Sequence, residues 1–295
     1  MDIANFTAFL AVASTGSFSR AAEQLHLTQP AISKRIATLE QQLGARLFDR
    51  IGKHVGLTEA GRTLQPRAEL IINTLNDTRR ALGNLSANIQ GRLSLATSHH
   101  IGLHRLPPLL RRFTKAYPGV VLDIEFLDSE IAYDKVLHGE IELAVITLAP
   151  EVEPPIIATR IWHDQLEFVV APEHPLAGKE KVQLHQLASY PAVFPGVNTF
   201  THRVVEQLFE RRGITPQVSM STNYMETIKM MVSIGLAWSV LPRTMIDSQV
   251  CALRIPDAGL VRELGCIHHS GRTLSNAGRA LIELLHTERE SGSPV

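Results

Sequence analysis

The sequence predicts a chain in three parts: an all-α-rich N-terminal end of winged helix-turn-helix type, one long helix, and an α/β remainder built as two similar units. Three observations predict it. Residues 17–50 hold two short amphipathic helical patterns separated by His26-Leu27, the layout of a helix-turn-helix. Between Leu64 and Ile89, positions alternately four and three residues apart are apolar, with Thr78 as the single polar member. That heptad spacing marks a helix that pairs along a narrow seam. Beyond Gln90-Gly91, strand-like runs alternate with helical periodicity, which predicts a parallel sheet with helices on its faces.

At the N-terminus, Ile3, Phe6, Phe9, Leu10 and Ala13 recur at helical spacing. Gly16-Ser17 breaks that helix, and Ser17 is placed to cap the next, which buries Phe18, Ala21, Ala22 and Leu25. Thr28 caps a third helix, with Pro30 in its first turn, where a missing N–H costs nothing. Ile32, Ile36, Leu39 and Leu43 form its buried stripe and Gly44 ends it. The opposite face opens with Gln29, Ser33, Lys34 and Arg35. Gln pairs with adenine, and Lys or Arg with guanine or phosphate. A two-strand hairpin follows, 47–48 returning as 55–57, with Arg50 and Lys53 near its tip. Such a wing suits phosphate or minor-groove contact. A plain three-helix core with a solvated polar face gives the same periodicity.

The stretch SFSRAAEQLHLTQPAISKRIATLEQQLGARLFDR followed by LTEAG resembles the winged helix-turn-helix of LysR-type transcriptional regulators over about 45 residues. In that family the TQPAIS run lies on the recognition helix, and LFDR with LTEAG marks the wing and the next helix. The resemblance implies DNA contact by Arg20, Thr28, Gln29, Pro30, Ser33, Lys34, Arg35, Arg50 and Lys53. Lys34-Arg35 departs from the Arg-Gln of many members, keeping a positive charge while altering which bases are read.

Thr58 and Glu59 open the long helix. Its seam, Leu64, Ala68, Ile71, Leu75, Leu82 and Leu85, is narrower than a globular core wants, so a helix-helix dimer is expected; Pro66 should kink the helix near its start. The resemblance implies the same role, a homodimer that assembles further as a dimer of dimers. The domains expected are 1–58 (DNA-binding), 59–90 (linker helix) and 91–295.

In 91–295, a strand at 93–96, a helix at 102–115, a strand at 120–126, a helix at 132–138 and a strand at 143–146 make one unit. A strand at 166–171, another at 193–194, a helix at 201–212, a strand at 218–221, a helix at 224–233 and a strand at 236–241 make the second, and the last helix, 275–288, returns to the first. The arrangement resembles the two-lobed periplasmic-binding-protein architecture that LysR-type regulators use to bind effectors. Lobe one takes about 91–160 and 266–290, lobe two about 161–265. Ligands of such sheets sit at strand carboxyl ends, near helix N-termini that favour anions. Ser98, His99 and His100 follow the first strand, Thr147 the third, and Thr199, Phe200 and Thr201 open a helix of lobe two. The resemblance carries effector binding to Ser98, Thr147, Thr199 and Thr201, with His99, His100 and Phe200 beside them as candidates and Thr222-Asn223 and the Pro242 turn as further ones. Each Ser or Thr is equally an ordinary helix cap, and each His a solvated or core residue. One of the paired histidines is expected to donate to an anion in a pH-sensitive way.

Composition bounds the function. The chain has 295 residues, 44% hydrophobic and 20% charged, with 29 basic and 29 acidic side chains. Residues 1–90 hold ten Lys/Arg and seven Asp/Glu, a local +3 that suits a DNA-binding end. Cys251 and Cys266 form no CxxC pair, no Cys/His cluster has zinc-ligand spacing, and no metal or cofactor is expected. No GxSxG, Walker or HExxH pattern occurs, so an enzyme is not expected. No signal peptide and no apolar run of spanning length are seen, which reads as cytoplasmic with no membrane partner. The expected function is a ligand-responsive transcription regulator. Its partners are double-stranded DNA, a small anionic effector such as an organic acid or inorganic anion, a second copy of itself and RNA polymerase. The alternative is a solute-binding module without a transcriptional role.

Overall fold

Helices α1 (Ile3–Thr15), α2 (Phe18–Gln24) and α3 (Gln29–Leu43) each start on a side-chain cap. The Asp2 carboxylate, the Ser17 hydroxyl and the Thr28 hydroxyl accept from the amides of Ala4, Arg20 and Ala31. These caps supply acceptors to amides that the helix itself leaves unpaired. Gly16 and Gly44 end α1 and α3 in the left-handed region, at φ 61° and 66°. This computed structural model describes residues 1–51, 54–86 and 88–291. Strands β1 (Phe48–Ile51) and β2 (His54–Leu57) pair antiparallel, Phe48 opposite Leu57, as the expected wing.

Helix α4 (Glu59–Gly83) opens on Thr58, whose hydroxyl accepts from the Gly61 amide and donates to the Arg46 carbonyl. The helix continues through Pro66. Phe6, Phe9 and Val12 of α1, Ala21 and Ala22 of α2, and Ile32, Ile36 and Leu39 of α3 form one core with Leu47, Phe48 and Ala68. Two positions expected in that core stand open. Ile3, the first residue of α1, is 41% exposed, and Leu43, the last of α3, is 37% exposed; helix ends run past the core they start from.

The seam prediction needs correcting at both ends. Ala68 is fully buried in the N-terminal core, with Leu64 packed against it. Leu85 and Ile89 lie beyond the end of α4, and Ile89 packs against the first lobe. Heptad spacing reports an apolar face; it does not say which partner covers it.

The chain divides at Leu82/Gly83 into two compact units. In the second, β3 (Gly91–Thr97) lies parallel between β4 (Val120–Phe126) and β5 (Leu143–Thr147). Helices α5 (His99–His104), α6 (Leu106–Ala116) and α7 (Ser129–Leu137) connect them. The single helix expected at 102–115 is two: it starts earlier and breaks at Arg105. Pro107 and Pro108 explain the break, since neither brings an amide N–H and both suit a first turn.

Two long strands cross between the lobes. β6 (Ile156–Val170) pairs antiparallel with a strand absent from the sequence analysis, Leu260–His269. Lobe two adds α8 (Leu184–Ala188), β7 (Pro191–Phe194), α9 (Phe200–Arg211), β8 (Gln217–Ser221), α10 (Met225–Ser233), β9 (Ser239–Pro242) and β10 (Cys251–Leu253). The crossing strand 260–269 is therefore β11, and α11 (Asn276–Ser291) closes the chain. The main sheet runs β10-β6-β11-β5-β3-β4, with β9 also on β6, so it is mixed rather than parallel throughout. β7 and β8 form a separate parallel pair. The register shifts between Leu264 and Gly265, where a Cβ would meet the Thr159 carbonyl at 2.2 Å. Only glycine fits that close approach.

Lobe one is centred on Leu93, Leu95, Phe113 and Leu143, covered by Leu281 and Leu285 of α11. Lobe two is centred on Phe168, Phe194, Phe209 and Trp238. Cys251 and Cys266 are free thiols, and burial pushes the Cys266 thiol up to about 11. Among the described residues no helix is long and apolar enough to cross a membrane.

Candidate DNA-reading face and effector cleft

The capped start of α3 presents a polar face. Thr28, Gln29, Pro30 and Lys34 are exposed, Ser33 and Arg35 half-buried at its margins. The Gln29 side-chain amide donates to the Ser33 hydroxyl at 3.0 Å, so one turn of the helix holds these two side chains in a fixed relation. Arg20 is exposed on α2, but its guanidinium folds back to donate to the Thr15 carbonyl. The Arg50 side chain and Lys53 lie outside the described residues.

In the second unit, a small cavity opens where strand ends of both lobes meet. Lobe one contributes Ser98, His99 and His100 after β3, Asp128, Ser129 and Glu130 at the start of α7, and Thr147 at the end of β5. Pro195, Thr199 and Thr201 face them from lobe two, with Asn223 and Met225 at the start of α10 and Arg262 on β11. The free volume is about 40 Å³, room for roughly three waters. Of the effector candidates, Ser98, His99, His100, Thr147, Thr199, Thr201 and Asn223 thus converge, whereas Phe200, Thr222 and Pro242 do not line the cavity. The Phe200 ring is buried against Tyr133 with centroids 6.2 Å apart, and only its amide faces across the lobes.

The hydroxyls differ in what they have left to offer. Thr199 is spent as the cap of α9: it accepts from the His202 amide at 3.1 Å and donates to the Gly196 carbonyl at 2.8 Å. Ser98 stands at the cap position of α5 but makes no capping bond. Thr201 accepts from Arg262 Nη1 at 2.9 Å. Arg262 itself sits opposite Asp164 on β6, both nearly inaccessible, with Nε 2.8 Å from the carboxylate. Arg105 reaches the same carboxylate at 3.2 Å. Two guanidinium groups thus share one carboxylate, which leaves a positive charge beside the cavity floor.

Polar bridges near the cavity join the lobes. The Glu130 carboxylate accepts from the Phe200 amide, Asn223 Nδ2 donates to Asp128 at 2.6 Å, and His104 Nε2 meets Glu226 at 3.0 Å. Burial pushes the Glu130 carboxyl above its ordinary value, against the pull of the Phe200 amide. Burial, with the Arg262 guanidinium, pushes the His100 imidazole down to about 4. The expectation of a pH-sensitive histidine therefore fails at His100, which stays neutral at physiological pH.

Residues 3–62 match the family described as "Bacterial regulatory helix-turn-helix protein, lysR family", and residues 86–290 match "LysR substrate binding domain". The chain belongs to the LysR family of bacterial transcriptional regulators. Among LysR relatives, the RuBisCO operon transcriptional regulator of Allochromatium vinosum is 30% identical over 95% of this chain and 94% of its own length. An HTH-type transcriptional regulator from the ibpB-leuC intergenic region of Azotobacter vinelandii is 70% identical over 108 residues, 37% of this chain and 75% of its own. Full-length CbnR, solved in complex with its target DNA, shares the fold at a TM-score of 0.65 and 23% identity, covering 98% of this chain and all of that one. As a LysR-type regulator the chain is a DNA-binding protein with an effector-binding domain, and not an enzyme. The solute-binding module without a transcriptional role is set aside by residues 3–62.

Asp128, Ser129, Glu130, Pro195, Met225 and Arg262 line the cleft but are not among the cleft residues expected from the sequence. Asp and Glu at a helix start read as ordinary complements to the helix dipole. Arg262 lies on β11, a strand outside the elements expected from the sequence.

Proposed function

We propose that this regulator acts as a dimer paired through α4, reads promoter DNA with Gln29, Ser33, Lys34 and Arg35, and responds to a small acid held between its lobes. The observation that carries the effector reading is the set Ser98, Thr201 and Arg262. An uncommitted hydroxyl, a hydroxyl already polarised by a guanidinium, and a surplus positive charge face one cavity. Together they suit a carboxylate or inorganic oxyanion. Asp128 and Glu130 on the other wall suit hydroxyl or ammonium donors on the same molecule. A metabolite of ordinary size needs several hundred Å³, so its entry parts the lobes and replaces the Glu130 carboxylate at the start of α9. The change in lobe geometry then alters promoter binding or bending.

A thermal-shift screen of the full-length protein against small carboxylates, inorganic oxyanions and neutral aromatics tests this. A binding acid at 100 times its Kd should add about 2.7 kcal/mol, and Ser98→Ala and Thr201→Val should each reduce the gain. A transition moved only by neutral aromatics sinks the acid reading. On DNA, Lys34→Ala and Gln29→Ala should each relax preference at one base pair by about 1–3 kcal/mol. Equal losses on every sequence for both variants would remove both residues from base reading.

A further inference from the structure

His100, His104 and Glu226 form a cluster at one edge of the acid cleft, of which only His100 lines the cavity. The two histidines stand one turn apart on α5, with ring centroids 5.0 Å apart. Glu226 faces them from the first turn of α10, on the other lobe. One donor atom of each residue lies within 4.8 Å of the other two. His100 is only 5% exposed, yet neither ring nitrogen has a hydrogen-bond partner. A buried imidazole left unpaired is costly, and a missing ion is one of the few explanations for it. The charged and titratable groups around His100 are Arg262, Asp164, His104 and Glu226, and Asp164 is shared between Arg262 and Arg105.

We infer that His100, His104 and Glu226 are a transition-metal site that ties the two lobes together, taking Zn²⁺ or a similar divalent ion such as Co²⁺ or Ni²⁺. Two imidazoles and a carboxylate are the donor set of a three-ligand site with an open fourth position. Hard ions that want only oxygen ligands are disfavoured by the same set. Metal-ligand bonds of about 2.0–2.2 Å with tetrahedral angles put neighbouring donors roughly 3.3 Å apart. His104 and Glu226, 3.0 Å apart, are already near that spacing, with a His100 donor within 4.8 Å of both.

The test uses full-length protein free of any histidine tag, stripped with a chelator and titrated with CoCl₂, with ZnCl₂ as competitor. One ion per chain and the visible ligand-field bands of four-coordinate Co²⁺ are expected. His104→Ala and Glu226→Gln should each weaken binding at least tenfold, while His185→Ala, an exposed histidine on α8, should leave it unchanged. Both tested side chains are about 40% exposed, so neither change opens the core. Absence of stoichiometric binding overturns the site. A Glu226→Gln protein that binds as tightly as the unaltered chain overturns the bridge between lobes.

Discussion

Glu130 occupies the position that an incoming acid would want, at the first amide of α9. Its carboxyl is raised above the ordinary value of 4.5, first by burial. The folded unit therefore holds that proton more tightly than the unfolded chain does. Ionising Glu130 costs stability as pH rises, so the cost is fully present above the folded value and vanishes below 4.5. Glu130→Gln keeps an acceptor for the Phe200 amide and removes the charge. The variant should melt higher than the unaltered protein at pH 7.5, and the gain should fade by pH 4. Scanning calorimetry at the two pH values checks this; a gain of equal size at both would mean better packing rather than a removed charge. His26 makes a second point at this scale. It turns the chain between α2 and α3 at φ 53°, in the left-handed region that a side chain adopts only at some cost.

Among the elements, α4 divides its apolar stripe between two uses. Its first turns pack Ala60, Leu64, Ala68 and Ile72 onto the N-terminal core. Gly61 sits so close to β1 that a Cβ would meet the Leu47 carbonyl at 2.2 Å, which is why the LTEAG run carries glycine there. Farther along, Ile71 and Leu82 are 42% and 63% exposed, and Leu75 is half-buried. Spaced four and seven residues apart, these three lie on one face of the helix. Replacing Leu75 and Leu82 together with lysine should convert a dimer to a monomer, since charges on such a seam are left unpaired, and should cost little in the melting of either unit. Sedimentation equilibrium decides it: an unchanged mass would remove α4 as the dimer seam. The boundaries of α4 show why such patterns mislead. The heptad runs on to Ile89, but the helix stops at Gly83. There the Asn84 side chain is tied to Leu274 and Asn276 instead.

For the whole molecule, what the sequence determined by itself was local. Caps at Ser17, Thr28 and Thr58, the stop at Gly44, the stripe of α3 and the succession of strands and helices in lobe one depend on neighbours within a few residues or on periodicity, and both are written along the chain. The same local signals located the polar helix starts that line the cleft. Only the tertiary structure decided how those starts are completed. Val261 is 48% exposed and Arg262 4%, the reverse of what their side chains alone suggest. Arg262 is tolerated inside because Asp164, 98 residues away, lies opposite it across β6 and β11. His104 meets Glu226 across 122 residues. Pairing of charged groups over such separations depends on strand register and lobe closure. Those follow from burying both lobe cores at once, and no local spacing in the chain encodes them.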